Sequence, residues 1–413
     1  MRKHHVLTVV VLIVLVAMGA SAALARQDTT LTLMGWSSSQ AEDAALAEQI
    51  AAFEEANPGI TVDVNLVPDY DTTLQTTFAS GDPPDVFYID SSKLADLVEA
   101  GVVDIGGDKI ENPEGFYESL VNVFTYNGEF VCPPKDFSTL TLQYNKDMFD
   151  AAGLEYPTDD WTWDDLQAAA EALTGTNEAG QEVLGLILNP NLERWLPFLY
   201  QAGGSVLNED WSEVTVDTEE AREALDFYTG LVQDGYAGTA SAVDAGWAGE
   251  AFGMGRAAMI MEGNWVINTL LDQFPDINWG VVQLPGHPDG GEATMTFTVC
   301  YGVAADSESQ EAAWTLVNYL TGEAGGQLVA EAGFGPMPPR TALADPWLAA
   351  RGEEIGQPFV DAAETAYPWS FPVGFGDAID TFNASIQLAF EGQATADDVI
   401  FEMGAAAEEV LAR

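Results

Sequence analysis

The sequence predicts an α/β protein, organised as two or three domains or as one two-lobed unit. Three observations lead there. The chain has 413 residues, and domains run at roughly 100–200 residues each. Between residues 30 and 97, runs with a two-residue apolar period alternate with runs at helical spacing, a rhythm that lays helices over a largely parallel sheet. Hydrophobic residues make up 47% of the chain, enough for a large core, so the formal charge of −53 does not signal disorder.

Taken in order, Thr30-Leu31-Thr32-Leu33-Met34 alternates as a strand and runs into Gly35-Trp36. Leu46, Ile50 and Phe53 then mark a helix near residues 40–57, stopped by Asn57-Pro58-Gly59 because proline cannot continue it. Ile60, Val62 and Val64 alternate again. Thr72 to Ser80 reads as a helix closed by Gly81-Asp82-Pro83-Pro84, and Asp85 to Ile89 as a short buried strand. Asp90-Ser91-Ser92 follows it, suited to cap a helix through Leu97. Beyond Gly128 the rhythm changes. Thr139 to Tyr144 alternates, and Thr162-Trp163-Asp164-Asp165 fits a capping box with Asp in the Glu position. Thr218 caps a helix whose inner face is Ala221, Leu225, Tyr228 and Val232, stopped at Gly235. Ile379, Phe382, Ile386 and Phe390 make a stripe ending at Gly392, and Thr395 opens the last helix.

Met1-Arg2-Lys3 is a basic start, followed by the apolar run Val6 to Met18 and by Ala23-Leu24-Ala25, a small-x-small pattern read by signal peptidase. The spacing predicts an export signal over residues 1–25, cleaved after Ala25; an uncleaved anchor helix is the alternative. No cysteine stands at the cleavage point to carry a lipid. After Gln27 no apolar stretch approaches membrane-spanning length. The chain is therefore expected to be exported, into the periplasm or to the cell surface.

Composition excludes several functions. With 66 Asp+Glu against 13 Lys+Arg, the surface repels phosphate backbones and anionic headgroups, so no nucleic-acid partner is expected. Such a surface suits a salty or an acidic medium. The chain has three histidines, two of them in the export signal, which leaves His287 and excludes a multi-histidine metal site. No Walker loop, nucleophile elbow, EF-hand loop or Cys/His metal spacing appears, so neither metal nor cofactor is expected. Gly253-Met254-Gly255-Arg256-Ala257-Ala258 mimics a dinucleotide fingerprint, but no clear strand precedes it.

Several segments, in order, resemble the extracellular solute-binding proteins of family 1, the maltose-type sugar receptors of ABC importers. They begin with Phe53-Glu54-Glu55-Ala56-Asn57-Pro58-Gly59-Ile60-Thr61-Val62 and Ala79-Ser80-Gly81-Asp82-Pro83-Pro84-Asp85-Val86. Leu142-Gln143-Tyr144-Asn145-Lys146-Asp147-Met148-Phe149, Ala152-Gly153-Leu154 and Trp161-Thr162-Trp163 follow. Phe252-Gly253-Met254-Gly255-Arg256-Ala257-Ala258-Met259, Gly263-Asn264-Trp265 and Gly335-Pro336-Met337-Pro338 complete the set. The resemblance implies two α/β lobes of the periplasmic-binding-protein fold, type II-like, with a hinge crossed three times and ligand held between the lobes. It places lobe 1 at residues 26–132 and 301–343 and lobe 2 at residues 133–300 and 344–413. It also implies a monomer that serves an ABC permease.

A sugar offers apolar C–H faces to an indole and hydroxyls to polar neighbours, so its cleft needs tryptophans interleaved with Asp, Glu, Asn or Arg. Eleven tryptophans are available. Trp36 follows a strand end; Trp247 stands between Gly246 and Ala248; Trp265 resembles the family's cleft tryptophan; Trp369 precedes the C-terminal stripe where the family places stacking aromatics. Trp195 is a further candidate. For each, packing in a core is the alternative. Trp161, Trp163 and Trp314 lie in apolar helical patterns and read as structural. Among polar groups, Asp90 ends a strand, where open α/β sheets put ligand groups, or else caps the next helix. Asp136 follows the first presumed hinge crossing, and Glu262 and Asn264 stand just before Trp265, as ligand groups or as solvated loop residues. Cationic groups are scattered, so a neutral carbohydrate fits better than an anion, with a cationic solute left open.

Cys132 and Cys300 each lie beside a segment resembling a hinge crossing, and these crossings run side by side in the family. The resemblance thus implies a disulfide between them, two free buried thiols being the alternative. The expected function is that of a non-catalytic sugar receptor of an importer. The rival is a secreted glycoside hydrolase, which needs a pair of carboxyl groups across the scissile bond; nothing in the sequence marks one out.

Overall fold

A computed structural model describes residues 28–177, 179–332 and 335–413; the expected export signal lies outside them. Thirteen strands form in the described chain: β1 (Thr29–Gly35), β2 (Ile60–Leu66), β3 (Val86–Asp90), β4 (Thr125–Tyr126), β5 (Glu129–Phe130), β6 (Pro134–Asn145), β7 (Gly175–Thr176), β8 (Glu182–Ile187), β9 (Ala237–Gly238), β10 (Ala257–Gly263), β11 (Trp279–Val282), β12 (Thr294–Val303) and β13 (Ala366–Pro368). All but the β4-β5 hairpin join one sheet, ordered β2-β1-β3-β12-β6-β10-β8-β7, with β11 on β6, β13 on β12 and β9 on β8.

The first three strands are parallel, as the βαβ rhythm requires. The helix Gln40–Ala56 ends at Asn57, and the helix Tyr70–Ser80 ends on Gly81, whose φ of 76° is open to glycine without strain. β8 and β10 form a second parallel pair. The two parallel sets are joined by antiparallel strands, β12 against β3 and β6, and β6 against β10. A largely parallel sheet is therefore found on each side, while the middle is antiparallel.

β6 and β12 each serve both sides. Residues 134–139 of β6 pair with β12 and residues 140–144 with β10. On β12, Val299–Val303 pair with β3 and Thr296–Cys300 with β6. One hydrophobic cluster gathers Leu31, Phe53, Phe87 and Tyr88 with Val299, Tyr301, Trp314 and Val317. Another gathers Leu142, Phe149, Trp163 and Tyr228 with Phe382, Ile386 and Met403. Cys132 and Cys300 are bonded in a disulfide, with Cα atoms 5.7 Å apart, both fully buried in the first cluster.

Local signals landed where propensity and caps agreed. Thr162 and Asp165 form the capping box that opens the helix Trp163–Leu173, and Thr395 with Asp398 opens Ala396–Leu411 the same way. Thr218 caps Glu219–Gln233. Asp90 caps a 3-10 turn, Ser91–Lys93, which leads into the helix Leu94–Glu99. The Gly253-to-Ala258 string lies between the helix Ala248–Gly253 and β10. That is helix then strand, the reverse of the strand-to-helix turn a dinucleotide fingerprint requires.

Candidate functional site

The carboxyl ends of both parallel sets open onto one cleft, the position open α/β sheets give their ligands. Trp36 follows β1, Asp90 ends β3, Asn189 follows β8, and Glu262 and Trp265 end and follow β10. Opposite Asp90, the pairing register sets Val299 between Asp90 and Asp136, so the three side chains form one row across the floor, two strand spacings or about 10 Å wide. Glu193 and Arg194, from the first turn of the helix Leu192–Gln201, and Trp247, at the N-cap of the helix Ala248–Gly253, close the sides. The cleft holds about 520 Å³, within the range of small-molecule sites. A further cavity of about 120 Å³ adjoins it past Trp36 and Asp90.

Of the nine predicted ligand residues, the fold brings six together along this cleft: Trp36, Asp90, Asp136, Trp247, Glu262 and Trp265. The other three lie elsewhere. Trp195 is fully buried and stacks on Phe382, ring centroids 4.9 Å apart. Arg194, one residue earlier on the same helix and about 100° away around its axis, is the one that lines the cleft. Asn264 is fully buried and donates from Nδ2 to the Gly335 carbonyl at 3.0 Å. Trp369 packs against Phe371 and stands behind Phe297, with centroids 4.8 Å and 6.1 Å away; Phe297 is the ring that reaches the cleft.

Sequence reasoning missed Glu42, Lys135, Glu193, Arg194 and Phe297, all of which line the cleft. Lys135 and Asp136 are adjacent in a strand and by alternation belong on opposite faces. A β-bulge resolves this. Val299 pairs with Asp136 but Cys300 pairs with Pro134, so Lys135 is the extra residue, and bulges re-aim side chains in this way. Nothing in the local sequence announces it. The Arg194 signal was available, since an acidic-basic pair at a helix start beside a tryptophan can put either neighbour inward.

The cleft holds two cations, each clasped by two carboxylates. Lys135 Nζ reaches Glu42 Oε1 at 2.9 Å and the Asp136 carboxylate, and lies 5.1 Å above the Tyr88 ring. Burial would lower its pKa, but Asp136 and Glu42 hold it well above the usual lysine range. Arg194 donates from Nη2 to Glu262 Oε2 at 2.8 Å and from Nη1 to Glu193 Oε1 at 2.9 Å. Burial raises the carboxyls of Asp136 and Glu262 above their ordinary values, and the facing cations offset only part of it. Asp90 is held differently. Its Oδ1 accepts from Ser92 N–H at 2.9 Å and Ser92 Oγ–H at 2.6 Å, and burial, with Glu193 and Asp71 adding repulsion, pushes its pKa up. With both cations taken, the cleft offers little to an anion. It offers indole faces and carboxylate acceptors, the pair of groups that stacks a sugar ring and receives its hydroxyl protons.

A larger depression of about 880 Å³ lies at Met148, Met254 and Phe274. It contains none of the predicted residues and no tryptophan. Among the described residues, no group of three or more His, Cys, Asp or Glu is placed to hold a metal ion, and no helix is long and apolar enough to cross a membrane.

The chain resembles known proteins along most of its length. A model of the bacterial extracellular solute-binding proteins matches residues 48–353. A Brucella abortus protein named as a binding protein is 28% identical over 281 residues, which is 65% of this chain and 66% of the relative, just under two thirds of its length. An ABC substrate-binding protein of Listeria monocytogenes, solved in complex with cycloalternan, superposes with a TM-score of 0.84 at 27% identity, covering 94% of this chain and all of that one. An ABC transporter solute-binding protein of Thermotoga lettingae, bound with α-D-tagatose, gives 0.79 at 26% identity, covering 93% of this chain and all of that one.

Proposed function

Because the chain belongs to the bacterial extracellular solute-binding proteins, we propose that it captures a neutral carbohydrate, mono- or oligosaccharide, in the cleft between its lobes. The lobes then close, and the closed form is presented to the membrane permease of an ABC importer. The observation that carries this reading is the meeting of Trp36, Trp247 and Trp265 in one cleft whose two cations are already paired. Two solved relatives above 25% identity hold sugars, which supports the same ligand class. The lobes are residues 26–132 with 301–343 and 133–300 with 344–413. The clustering of residues 31–132 with 299–320 supports the core of lobe 1, although Ala330, Met337 and Leu343 cluster with Leu184, Ile187 and Phe252 of lobe 2. β6 and β12, shared by both sides, are two of the crossings.

The protein acts as an exported monomer, without a cofactor, and returns its ligand chemically unaltered. Closure follows only from tighter binding to the closed state. The test is a thermal-shift panel of neutral mono- and oligosaccharides with amino acids and polyamines beside them. At least one sugar raises the melting temperature. If only amino acids or polyamines do so, the ligand class is wrong.

A further inference from the structure

Trp265 is held on three sides. Its indole Nε1–H donates to Glu262 Oε2 at 3.0 Å, the same oxygen that accepts from Arg194 at 2.8 Å. The Arg194 guanidinium carbon lies 5.6 Å from the Trp265 ring and 5.7 Å from the Phe297 ring, and Phe297 meets the indole edge-on, 5.6 Å away at 72°. Below, the indole lies over Gly263, where an added Cβ would stand 2.3 Å from Cζ3. Glu262 is fixed in turn: its N–H donates to Gln143 Oε1 at 3.0 Å and its carbonyl accepts from Gln143 Nε2 at 2.9 Å, Gln143 being fully buried. Glu262 itself is 2% exposed. A buried carboxylate is costly unless it is paired and hydrogen-bonded, and the donors that offset that cost are Arg194 and the indole.

From this geometry we infer that Glu262 is a positioning residue: it fixes the indole of Trp265 so that the ring faces the cleft, and it contributes to ligand affinity through Trp265 rather than by touching the ligand. The inference rests on the carbohydrate reading of the cleft for its affinity arm and on the protein alone for its exchange arm.

The two arms are run together. In the ligand-free protein, the Trp265 indole N–H, assigned by its loss in W265F, exchanges with solvent at least about tenfold faster in E262A and near the wild-type rate in E262Q, whose amide oxygen still accepts the bond. Titration with maltotriose then follows a double-mutant cycle. E262A weakens binding about tenfold, E262Q less than about threefold, and E262A adds less than about twofold once Trp265 is already alanine. Should E262A fail to fold, R194M/E262M replaces it, removing both buried charges together. Equal losses from E262A in the wild-type and W265A backgrounds would put Glu262 on the ligand, and unchanged indole exchange would remove its hold on the ring; either overturns the inference. If maltotriose leaves the wild-type protein unaffected, the choice of ligand fails instead, and the exchange rates still decide the role of Glu262.

Discussion

One residue of helix phase separates Arg194 from Trp195, and it decides which of them lines the cleft. A step of about 100° along a helix turned the expected stacking residue into the core and its neighbour into the cleft. Trp36, Trp247 and Trp265 were legible because each stands at the edge of a regular element within two residues of a glycine, whereas Trp369 was not: its place behind Phe297 depends on β13 pairing with β12, a contact between distant parts of the chain. Two substitutions separate these roles. Gly263→Ala forces the Trp265 ring aside, since the new methyl would overlap it, and is expected to weaken sugar binding about tenfold while lowering stability by about 1–3 kcal/mol. Calorimetry and thermal melts on the same sample check both. Asp90→Asn probes the floor. Burial raises the Asp90 pKa above its ordinary 3.8, so its stabilising contribution is complete below that value and is lost as pH climbs through the raised one. The asparagine variant, still able to cap Ser92, therefore melts higher than wild type at neutral pH. The gap closes as pH falls toward about 4, and affinity drops because an acceptor is gone. A gap that does not change with pH contradicts this.

Elements with local causes were the readable ones. The capped helices at Thr162, Thr218 and Thr395 and the strands β1, β2 and β3 follow from periodicity and terminators within ten residues. The long crossing strands were read only in part. Thr139 to Tyr144 alternates visibly, but β6 begins at Pro134, where its partner is β12, more than 150 residues downstream. Such pairing leaves no local trace, and neither does the bulge that turns Lys135 toward the cleft. The disulfide ties the chain just before β6 to β12 across a sequence separation of 168 residues. A loop of that length constrains the unfolded chain strongly, and the chain-entropy estimate is about 5 kcal/mol, with measured bridges nearer 2–4. Reduction, or Cys132→Ser with Cys300→Ser, is expected to lower the denaturant midpoint accordingly. Both sulfurs are buried away from the cleft lining, so sugar affinity changes by less than about twofold. A large affinity loss in a protein that stays folded would show that the bridge sets the cleft geometry.

For the molecule as a whole, composition governs what surrounds the fold more than the fold itself. A net charge of −53 makes the folded chain repel itself, and salt screens that repulsion. The melting temperature is therefore expected to rise by several degrees between about 20 mM and about 1 M NaCl, while affinity for an uncharged ligand stays flat across the same range. A steep fall in affinity with salt would mean that the ligand is a cation. The two-lobed plan was legible through the order of motifs that resemble a known family, since local periodicity alone does not show which distant strands pair. The charge pairing inside the cleft was not, because Glu42, Lys135 and Asp136 meet only after the sheet has formed. The most direct measurement is calorimetric titration of the protein with neutral oligosaccharides, with chromatography of the recovered ligand and W265A as the parallel sample. Saturable binding of an intact sugar, weakened at least about tenfold in W265A, is the expected result; a sugar recovered in pieces, or bound equally well without the indole, would contradict it.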